Sequence, residues 1–398
     1  MTLKKTLLIF PCLFIFLINA SAQKLGIKDI KNLRVTHQIN QIYALEMIKK
    51  DGLLIGDTRL EGGDLDGLLV RFNLKGRVLK EVRLGRTDSY ERIIKLEKTK
   101  KGYYLLMNSV KKDKTRRLLF YELDNALSIL SSEVISIPNI STEMVYDSKR
   151  NVLMIVTTIF DKKNSFPQLI TYDLTTKKII KTLNFNQVNR PEKGKKRPTF
   201  KWTKACTSIR FSDESYNELL LTGSESSTNI SDCWIAKVVD NQIIWEDRFA
   251  TTVGRDEGIS TFKTPAGYLS FGHEYSQKTG INFSYRTLLL SEKGQEKSAE
   301  RYYRRQKDKF KDVVRLGKKH FVMFGHSQEM MLLDAKPKAS NLWAIMVNEK
   351  GEFIVDYEHQ TEMIDEAYAI TRMDNGDMPI LFERDGDLMI GILELLVP

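Results

Sequence analysis

The sequence predicts an all-β fold in which four-stranded units repeat around a ring. Three observations predict it: apolar runs of strand length recur at a nearly constant spacing, each run has the same neighbours, and no helical period competes after residue 22. Six of the runs are LLIG at 53–56, LLMN at 105–108, MIVT at 154–157, LLTG at 220–223, LSFG at 269–272 and VMFG at 322–325. Their ends lie 52, 49, 66, 49 and 53 residues apart, and PILFE at 379–383 is a degenerate seventh copy.

Each copy begins with an alternating segment and a turn, continues with the apolar run and a polar loop, and ends with two more strands. In the first copy these two strands read DGLLVRFNLKG and RVLKEVRL, and in the sixth they read NLWAIMVNEKG and EFIVDYEH. Four antiparallel strands at a period of roughly 50 residues are typical of a β-propeller blade. Seven copies predict a seven-bladed β-propeller, with roughly six to eight blades as the error range.

The last copy lacks a fourth strand, because the chain ends at Pro398 soon after LMIGILEL. The segment NLRVTHQI at 32–39 lies just before the first copy and is free to supply that strand. Pairing of an N-terminal strand with the last blade would close the ring and leave no gap between the chain ends. We therefore expect residues 32–39 to close the ring.

The first 22 residues have the pattern of a cleavable secretory signal. Lys4 and Lys5 precede an apolar run at 7–18, and Ala20-Ser21-Ala22 follows it. We expect a mature chain that begins near Gln23, forms one β-propeller domain over 23–398 and is exported to the periplasm or beyond. No other stretch is apolar enough to predict a transmembrane segment.

Two stretches carry a family resemblance, namely GYLSFG at 267–272 and CWIAKVVDNQIIW at 233–245. They are similar to the blade pattern Gly-Tyr-Leu-Leu-x-Gly followed by Trp-x-x-Lys-x-x-x-x-Gly, and the chain resembles secreted bacterial β-propellers of the quinoprotein-like kind. The resemblance implies the fold. The regularly spaced tryptophans that lock the blades of quinone-binding dehydrogenases are missing, since the tryptophans are Trp202, Trp234, Trp245 and Trp343. We therefore expect no quinone and no other cofactor.

Two histidines stand at equivalent places in neighbouring copies. In a blade with strands A, B, C and D, the loops from B to C and from D to the next A emerge at one end of the ring, which we name the B–C/D–A face. His273 and His326 both follow strand B, so their spacing of 53 residues follows from the repeat. A metal would need a third ligand, for which Glu274 and Asp334 are candidates. We expect polar strand ends that meet solvent, and no metal site.

Acidic residues gather on the same face, in the loops from strand D to the next strand A. They are Asp88 and Glu91, Asp256 and Glu257, and Asp365 and Glu366. Paired carboxylates would suit general acid and base catalysis on a glycan, whereas recurrence at the blade period favours turn capping by acceptance of backbone N–H bonds. The weak catalytic candidates are His273, His326, Asp256, Glu257, Asp365 and Glu366.

The charge of the chain is concentrated in two segments. With 62 basic and 51 acidic residues the chain has a net charge of +11, which becomes +9 without Lys4 and Lys5. Residues 187–204 contain seven basic residues and one acidic residue, and residues 301–311 contain six and one. Both segments connect strand D to the next strand A. The predicted anion-binding residues are Lys193, Lys195, Lys196, Arg197, Lys201, Arg304, Arg305 and Lys307, with Phe200, Trp202, Tyr302 and Tyr303 as stacking surfaces.

These segments allow two interpretations, a site for an anionic partner or solvated loops without a ligand. An exported protein would meet an acidic polysaccharide, a lipid phosphate or an acidic protein surface, and we expect no nucleic acid partner. No CxxC, HExxH, GxSxG or P-loop motif is present. We therefore expect a non-enzymatic, monomeric binding or scaffold protein, and the alternative is a lyase or hydrolase that acts on acidic glycans.

Cysteine usage gives little support for a disulfide. Cys206 begins strand A and Cys233 begins strand C of the fourth copy, with strand B between them. Two strand spacings of about 4.8 Å place them about 9 to 10 Å apart, beyond the roughly 7 Å that a disulfide spans. A bridge could form only if the loop before Cys233 bent back.

Overall fold

The computed structural model describes residues 24–60, 64–85, 89–137, 139–161, 164–185, 203–213, 215–226, 231–249, 255–275, 284–305, 307–328 and 339–396. The regular secondary structure of these residues is entirely β-strand, in 28 strands. They include no helix long and apolar enough to cross a membrane. The predicted signal at 1–22 lies outside the described residues.

The strands form seven four-stranded antiparallel blades, as the repeat predicts. Blade 1 contains β2 (Ile39–Ile48), β3 (Asp51–Arg59), β4 (Leu65–Asn73) and β5 (Val78–Leu84). Blade 2 contains β6 (Ser89–Lys98), β7 (Gly102–Lys111), β8 (Arg116–Asp124) and β9 (Ile129–Ile135). Blade 3 contains β10 (Ile140–Asp147), β11 (Val152–Asp161), β12 (Asn164–Asp173) and β13 (Lys178–Asn184). Blade 4 contains β14 (Thr203–Phe211), β15 (Glu218–Ser226), β16 (Ser231–Val239) and β17 (Gln242–Phe249).

The remaining strands complete the ring. Blade 5 contains β18 (Arg255–Thr264), β19 (Gly267–Tyr275), β20 (Ser284–Leu290) and β21 (Glu296–Tyr302). Blade 6 contains β22 (Lys307–Leu316), β23 (His320–Gln328), β24 (Ser340–Asn348) and β25 (Phe353–His359). Blade 7 contains β26 (Asp365–Ile370), β27 (Met378–Arg384), β28 (Asp387–Leu396) and the N-terminal β1 (Lys24–Asn32). Single bridges at Ser165 to Thr203 and at Ser231 to Arg255 join blades 3, 4 and 5.

The ring is closed by an N-terminal strand, but the predicted position of that strand was wrong. Strand β1 pairs with β28 from Lys24 opposite Leu396 to Asn32 opposite Met389. Residues 33–38 connect β1 to β2, which begins at Ile39. The physical reason is that the chain must cross from the outer strand of blade 7 to the inner strand of blade 1. A strand over 32–39 would leave no residues for that crossing.

The hydrophobic core lies between neighbouring blades. Each adjacent pair has its own cluster of buried apolar side chains. Strands B and C contribute to the clusters on both sides, so β3 and β20 are buried along almost their whole length. Strands that are buried on both faces form continuous apolar runs. This burial explains the runs that reveal the repeat.

The A strands of most neighbouring blades contact one another and surround the central channel. Each A strand contains an extra residue, a β-bulge, which bends the strand and changes the direction of its side chains, and β2 has a second one at Asn40. The bulge residues are Tyr43, Ile94, Thr142, Thr207, Ile259, Lys311 and Tyr368. Beyond the bulges, charged side chains of several blades interact with one another in the channel. They are Glu46, Lys95, Glu97, Glu143, Arg210 and Asp312.

The two cysteines are free thiols. Cys206 is buried between blades 3 and 4, and Cys233 is buried between blades 4 and 5, so they lie on opposite faces of one sheet. Burial raises the pKa of both thiols, and that of Cys233 rises to about 12. Neither thiol is therefore ionised near neutral pH.

Candidate binding site

The two histidines occupy equivalent positions but have different environments. In the strand registers, Glu257 lies opposite His273 and Lys309 lies opposite His326. The His273 Nε2 atom lies 3.0 Å from Glu257 Oε2. His326 is only 2% exposed, and its Nδ1 atom accepts the backbone N–H of Ala367 in blade 7 at 3.2 Å. The expectation of solvent-facing strand ends is thus wrong for His326, which links two blades.

His326 is uncharged at neutral pH. Burial lowers the pKa of its imidazole to about 3, and the positive charges of Lys311, Lys309 and Lys307 contribute in the same direction. Because Nδ1 accepts a hydrogen bond, the ring proton is on Nε2. Among the residues that the structure describes, no group of three or more His, Cys, Asp or Glu side chains is arranged to hold a metal ion. Asp334 lies outside the described residues.

Most of the described acidic candidates contact residues of their own blades. Asp256 lies 3.1 Å from Arg286, and Asp365 accepts two hydrogen bonds from Arg384 at 2.7 and 2.9 Å. Glu91 accepts a hydrogen bond from the hydroxyl of Ser109 at 2.9 Å. The structure does not bring these three carboxylates together, because they lie on blades 5, 7 and 2. Asp88 lies outside the described residues.

Asp308 occupies the equivalent position in blade 6 and shows the role of an acidic residue there. Asp308 begins strand A of blade 6 and is buried. Its carboxylate accepts the backbone N–H of Arg304 at 2.6 Å and that of Arg305 at 3.1 Å. It therefore caps the connection between strand D and the next strand A, which supports the turn-capping interpretation over the catalytic one.

The first basic segment is described only at its end. Lys193, Lys195, Lys196, Arg197 and Lys201 lie outside the described residues, as do Phe200 and Trp202. Lys204 is buried, and its ammonium group lies 3.0 Å from Glu246 and 3.6 Å from Glu225. The positive charge of Lys204 is thus matched inside blade 4.

The second basic segment divides into two parts. The Arg304 side chain forms ion pairs with Asp356 and Glu358, and Arg305 lies 2.8 Å from Glu358. Both arginines are therefore neutralised by strand D of blade 6. Lys307, Lys309 and Lys311 follow on strand A, at the entrance to the channel on the B–C/D–A face.

The side chains of Lys309 and Lys311 interact, and each ammonium group disfavours the charge of the other. Burial and the neighbouring Lys309 lower the pKa of Lys311, although Glu366 lies 3.4 Å from Lys311. No described carboxylate lies within ion-pair distance of Lys309. We name this entrance, with Arg92, Lys309, Lys311 and Tyr368 at its edge, the channel mouth.

Two cavities open at the channel mouth. One, of about 570 Å³, is bounded by blades 1, 2 and 3 and lined by Tyr43, Tyr90 and Arg92. The other, of about 950 Å³, lies between blades 7 and 1 and is lined in part by Lys311 and Tyr368. These residues were missed by the sequence analysis. Three of them, Tyr43, Lys311 and Tyr368, occupy the bulge position of strand A, which leaves no signal in the sequence.

The first cavity has a preformed cationic wall. The Arg92 guanidinium lies 4.7 Å from the centre of the Tyr43 ring, a cation–π arrangement. The Tyr43 hydroxyl donates a hydrogen bond to Asp57, and the Asn40 amide donates another to the same carboxylate at 2.9 Å. Burial and the bond to Asp57 raise the pKa of Tyr43. Arg92 is thus held in place by a neutral ring and not by a carboxylate.

No family model and no curated protein matches the sequence. Solved structures share the fold. The WD40 domain of Toxoplasma gondii coronin superposes with a TM-score of 0.55 at 8% identity, over 95% of this chain and 87% of that one. The polysaccharide lyase Uly1 has a TM-score of 0.51 at 10% identity, over 91% and 92%.

The β-propeller domain of the trilobed protease from Pyrococcus furiosus has a TM-score of 0.50 at 10% identity, over 91% of this chain and 99% of that one. That domain is described as having an open velcro topology, whereas β1 and β28 are paired here. At such low identity the likeness shows the fold alone, and it confirms the predicted β-propeller. β-Propellers perform many unrelated functions.

Proposed function

We propose that this protein is an exported, non-enzymatic β-propeller. Its channel mouth binds anionic groups of a partner. The observation that carries the proposal is the pair of adjacent ammonium groups of Lys309 and Lys311. Export is inferred from residues 1–22, and the quinoprotein-like kinship is inferred from the two blade motifs. A carboxylate, sulfate or phosphate group is the shared chemistry of the partners considered.

Two ammonium groups at close range disfavour each other's charge, and an anion between them removes that cost. Glu366 offsets only part of the repulsion, because it contacts Lys311 alone and its side chain is 40% exposed. His326 lies opposite Lys309 on the neighbouring strand, and because its ring is neutral it adds no charge to the site. The pair is therefore arranged to accept an anionic group from solvent.

The described residues do not favour the alternative of a glycan lyase or hydrolase. A general acid and base must reach the same substrate atoms. Asp256, Asp365 and His326 are each buried and committed to a structural partner. Glu257 and His273 contact each other, and the candidate that lines the same small cavity, Asp256, is paired with Arg286.

The proposal is tested by a salt series with two anionic probes, phosphatidylglycerol vesicles and poly-L-glutamate. We expect at least one probe to bind the wild type, with an affinity that falls as salt rises because exposed charges are screened beyond about 8 Å. The variant Lys309→Gln/Lys311→Gln should bind that probe about tenfold more weakly.

The matched control is Lys318→Gln/Lys319→Gln, which removes the same charge from the opposite end of blade 6, where both side chains are exposed. It should change the affinity by less than about threefold. Absence of wild-type binding, or equal weakening by both variants, would show that the channel mouth is not the site.

A further inference from the structure

The opposite end of the ring carries a second set of basic residues, which lie outside the two basic segments of the sequence. The turns between strands A and B emerge there, and we name this end the A–B face. Exposed lysines occupy these turns in several blades, including Lys49, Lys98, Lys100, Lys101, Lys318 and Lys319. With the described carboxylates, none of these six forms an ion pair. Their charge is directed at solvent.

A groove of about 960 Å³ lies on this face among blades 2, 3 and 4. It begins at Lys95 and Arg210 in the channel wall and reaches Leu130 on the outer strand of blade 2. Lys98, Lys100 and Lys101 line it along the turn of blade 2. A volume of this size suits a ligand of a few rings, since small-molecule sites are typically about 300 to 1,000 Å³.

Aromatic rings of blades 2, 3 and 4 also line the groove. Tyr104 and Tyr146 pack edge to face with centroids 4.9 Å apart, and Phe211 and Tyr216 do so at 4.7 Å. All four rings line the groove and are partly exposed. Aromatic rings in such a groove offer apolar faces on which the C–H faces of a sugar ring can pack.

The turn that carries Tyr216 is held in place by the neighbouring blade. Arg150 of blade 3 donates a hydrogen bond to the Tyr216 carbonyl oxygen at 2.9 Å, and the Lys149 ammonium lies 5.6 Å from the centre of the Tyr216 ring. Lys149 also donates to the Ser215 carbonyl oxygen at 3.3 Å. The aromatic side of the groove is therefore built before any ligand arrives, which lowers the entropic cost of binding.

Tyr103 forms part of the floor of the groove. It is only 3% exposed and packs into the core between blades 1 and 2. Its hydroxyl is buried beneath the groove and has no hydrogen-bond partner among the described residues. The ring therefore fixes the floor of the groove without offering its hydroxyl to a ligand.

We propose that this groove binds a segment of an acidic polysaccharide, at a site separate from the channel mouth. The lysines suit carboxylate or sulfate groups, and the exposed faces of the rings suit the body of the sugar. Glu97, Glu122 and Asp213 also line the groove, where they can accept hydrogen bonds from sugar hydroxyls. A flat bilayer cannot enter a concave groove.

The experiment measures binding of oligogalacturonate by isothermal titration calorimetry to the full chain, with neutral maltohexaose and single-stranded DNA as comparison probes. We expect the wild type to bind oligogalacturonate and to bind maltohexaose far more weakly. Lys98→Gln/Lys100→Gln/Lys101→Gln should lower the affinity at least about tenfold and flatten its salt dependence. Tyr216→Ala should lower the affinity at constant salt dependence, because it removes a packing surface and no charge.

The control Lys318→Gln/Lys319→Gln keeps the groove and removes charge from the same face, so it should bind with nearly wild-type affinity. The channel-mouth variant Lys309→Gln/Lys311→Gln should keep the groove affinity, so failure of one site is distinguishable from failure of the other. The proposal is overturned if oligogalacturonate does not bind, if the groove and control variants weaken binding equally, or if DNA binds more tightly than the acidic sugar.

Discussion

The two ends of the ring use positive charge in different ways. On the B–C/D–A face most described charges have partners on neighbouring strands, as Arg384 has in Asp365 and Arg304 has in Glu358. On the A–B face the six lysines of the A–B turns named above have no described carboxylate partner, although Lys177 in a C–D turn lies 2.8 Å from Glu133. The difference teaches that the number of basic residues in a segment does not give its free charge, which depends on where each residue lies in the blade.

Strand geometry explains the difference. A side chain on a strand lies about 5 Å from its cross-strand neighbour, so a charge there is readily paired. A residue in a tight turn has no such neighbour. Lys49 and Asn151 have positive φ angles of 57° and 54°, which are typical of such turns. Because a lysine in such a turn has no cross-strand neighbour, its side chain extends into solvent.

The largest expected effect concerns the closure on which both ends depend. Deletion of residues 24–32 should remove the outer strand of blade 7 and expose the edge of β28. We expect aggregation, or a melting temperature at least about 10 °C lower by differential scanning calorimetry. An unchanged melting curve would show that β1 does not close the ring.

The paired charges of the B–C/D–A face should matter more for stability than the free lysines. Asp365→Ala leaves the Arg384 guanidinium without its bidentate partner, so the free energy of unfolding should fall by about 3 kcal/mol. Lys101→Gln, on the A–B face, should change it by less than about 0.5 kcal/mol. Chemical denaturation measures both, and similar losses would contradict the contrast between the faces.

The two histidines allow a test within one face. His326→Ala removes the acceptor of the Ala367 N–H and leaves a buried gap, which should cost about 2 kcal/mol of unfolding free energy. His273→Ala removes the contact with Glu257, whose side chain is 50% exposed, and should cost less than about 1 kcal/mol. Equal costs, measured by urea denaturation, would mean that the two environments do not differ as described.

The channel between the two ends should respond to pH. Burial raises the pKa of Glu97 and of Glu143 to about 7, above the value of about 4.3 in an unfolded chain. Each carboxyl group therefore binds more protons in the folded state, and its contribution lowers the free energy of unfolding as pH rises from about 4.5 to about 7. The variant Glu97→Gln/Glu143→Gln should lose this part of the pH dependence.

Melting temperatures of the wild type and variant between about pH 5 and pH 8 measure that slope. The exposed Glu362→Gln is the control and should keep the wild-type slope. His326 contributes in the opposite sense, since its lowered pKa reduces stability as pH falls below about 6.5. It is present in every variant, so its effect cancels in the comparison. Identical slopes in all three proteins would contradict the assignment to the channel carboxyls.

The sequence predicted the blades well, because strands buried on both faces leave unbroken apolar runs such as VMFG at 322–325. It misplaced the closing strand. The position of residues 32–39 just before the first copy does not show how many residues the chain needs to pass from blade 7 to blade 1. The bulges were also invisible, because one extra residue such as Lys311 does not alter the repeat. The partners of Arg304 were missed because they lie 52 and 54 residues further along the chain.

The central claim is that an anion binds between Lys309 and Lys311, and lysine acylation followed by mass spectrometry tests it most directly. Without a probe, Lys309, Lys311 and Lys318 should be labelled, and Lys204 should be labelled slowly because it is buried between Glu225 and Glu246. With the vesicles or poly-L-glutamate, at least one probe should slow labelling at Lys309 and Lys311 and leave Lys318 unchanged. If every probe leaves Lys309 and Lys311 as reactive as before, or slows all lysines alike, the channel mouth is not an anion site.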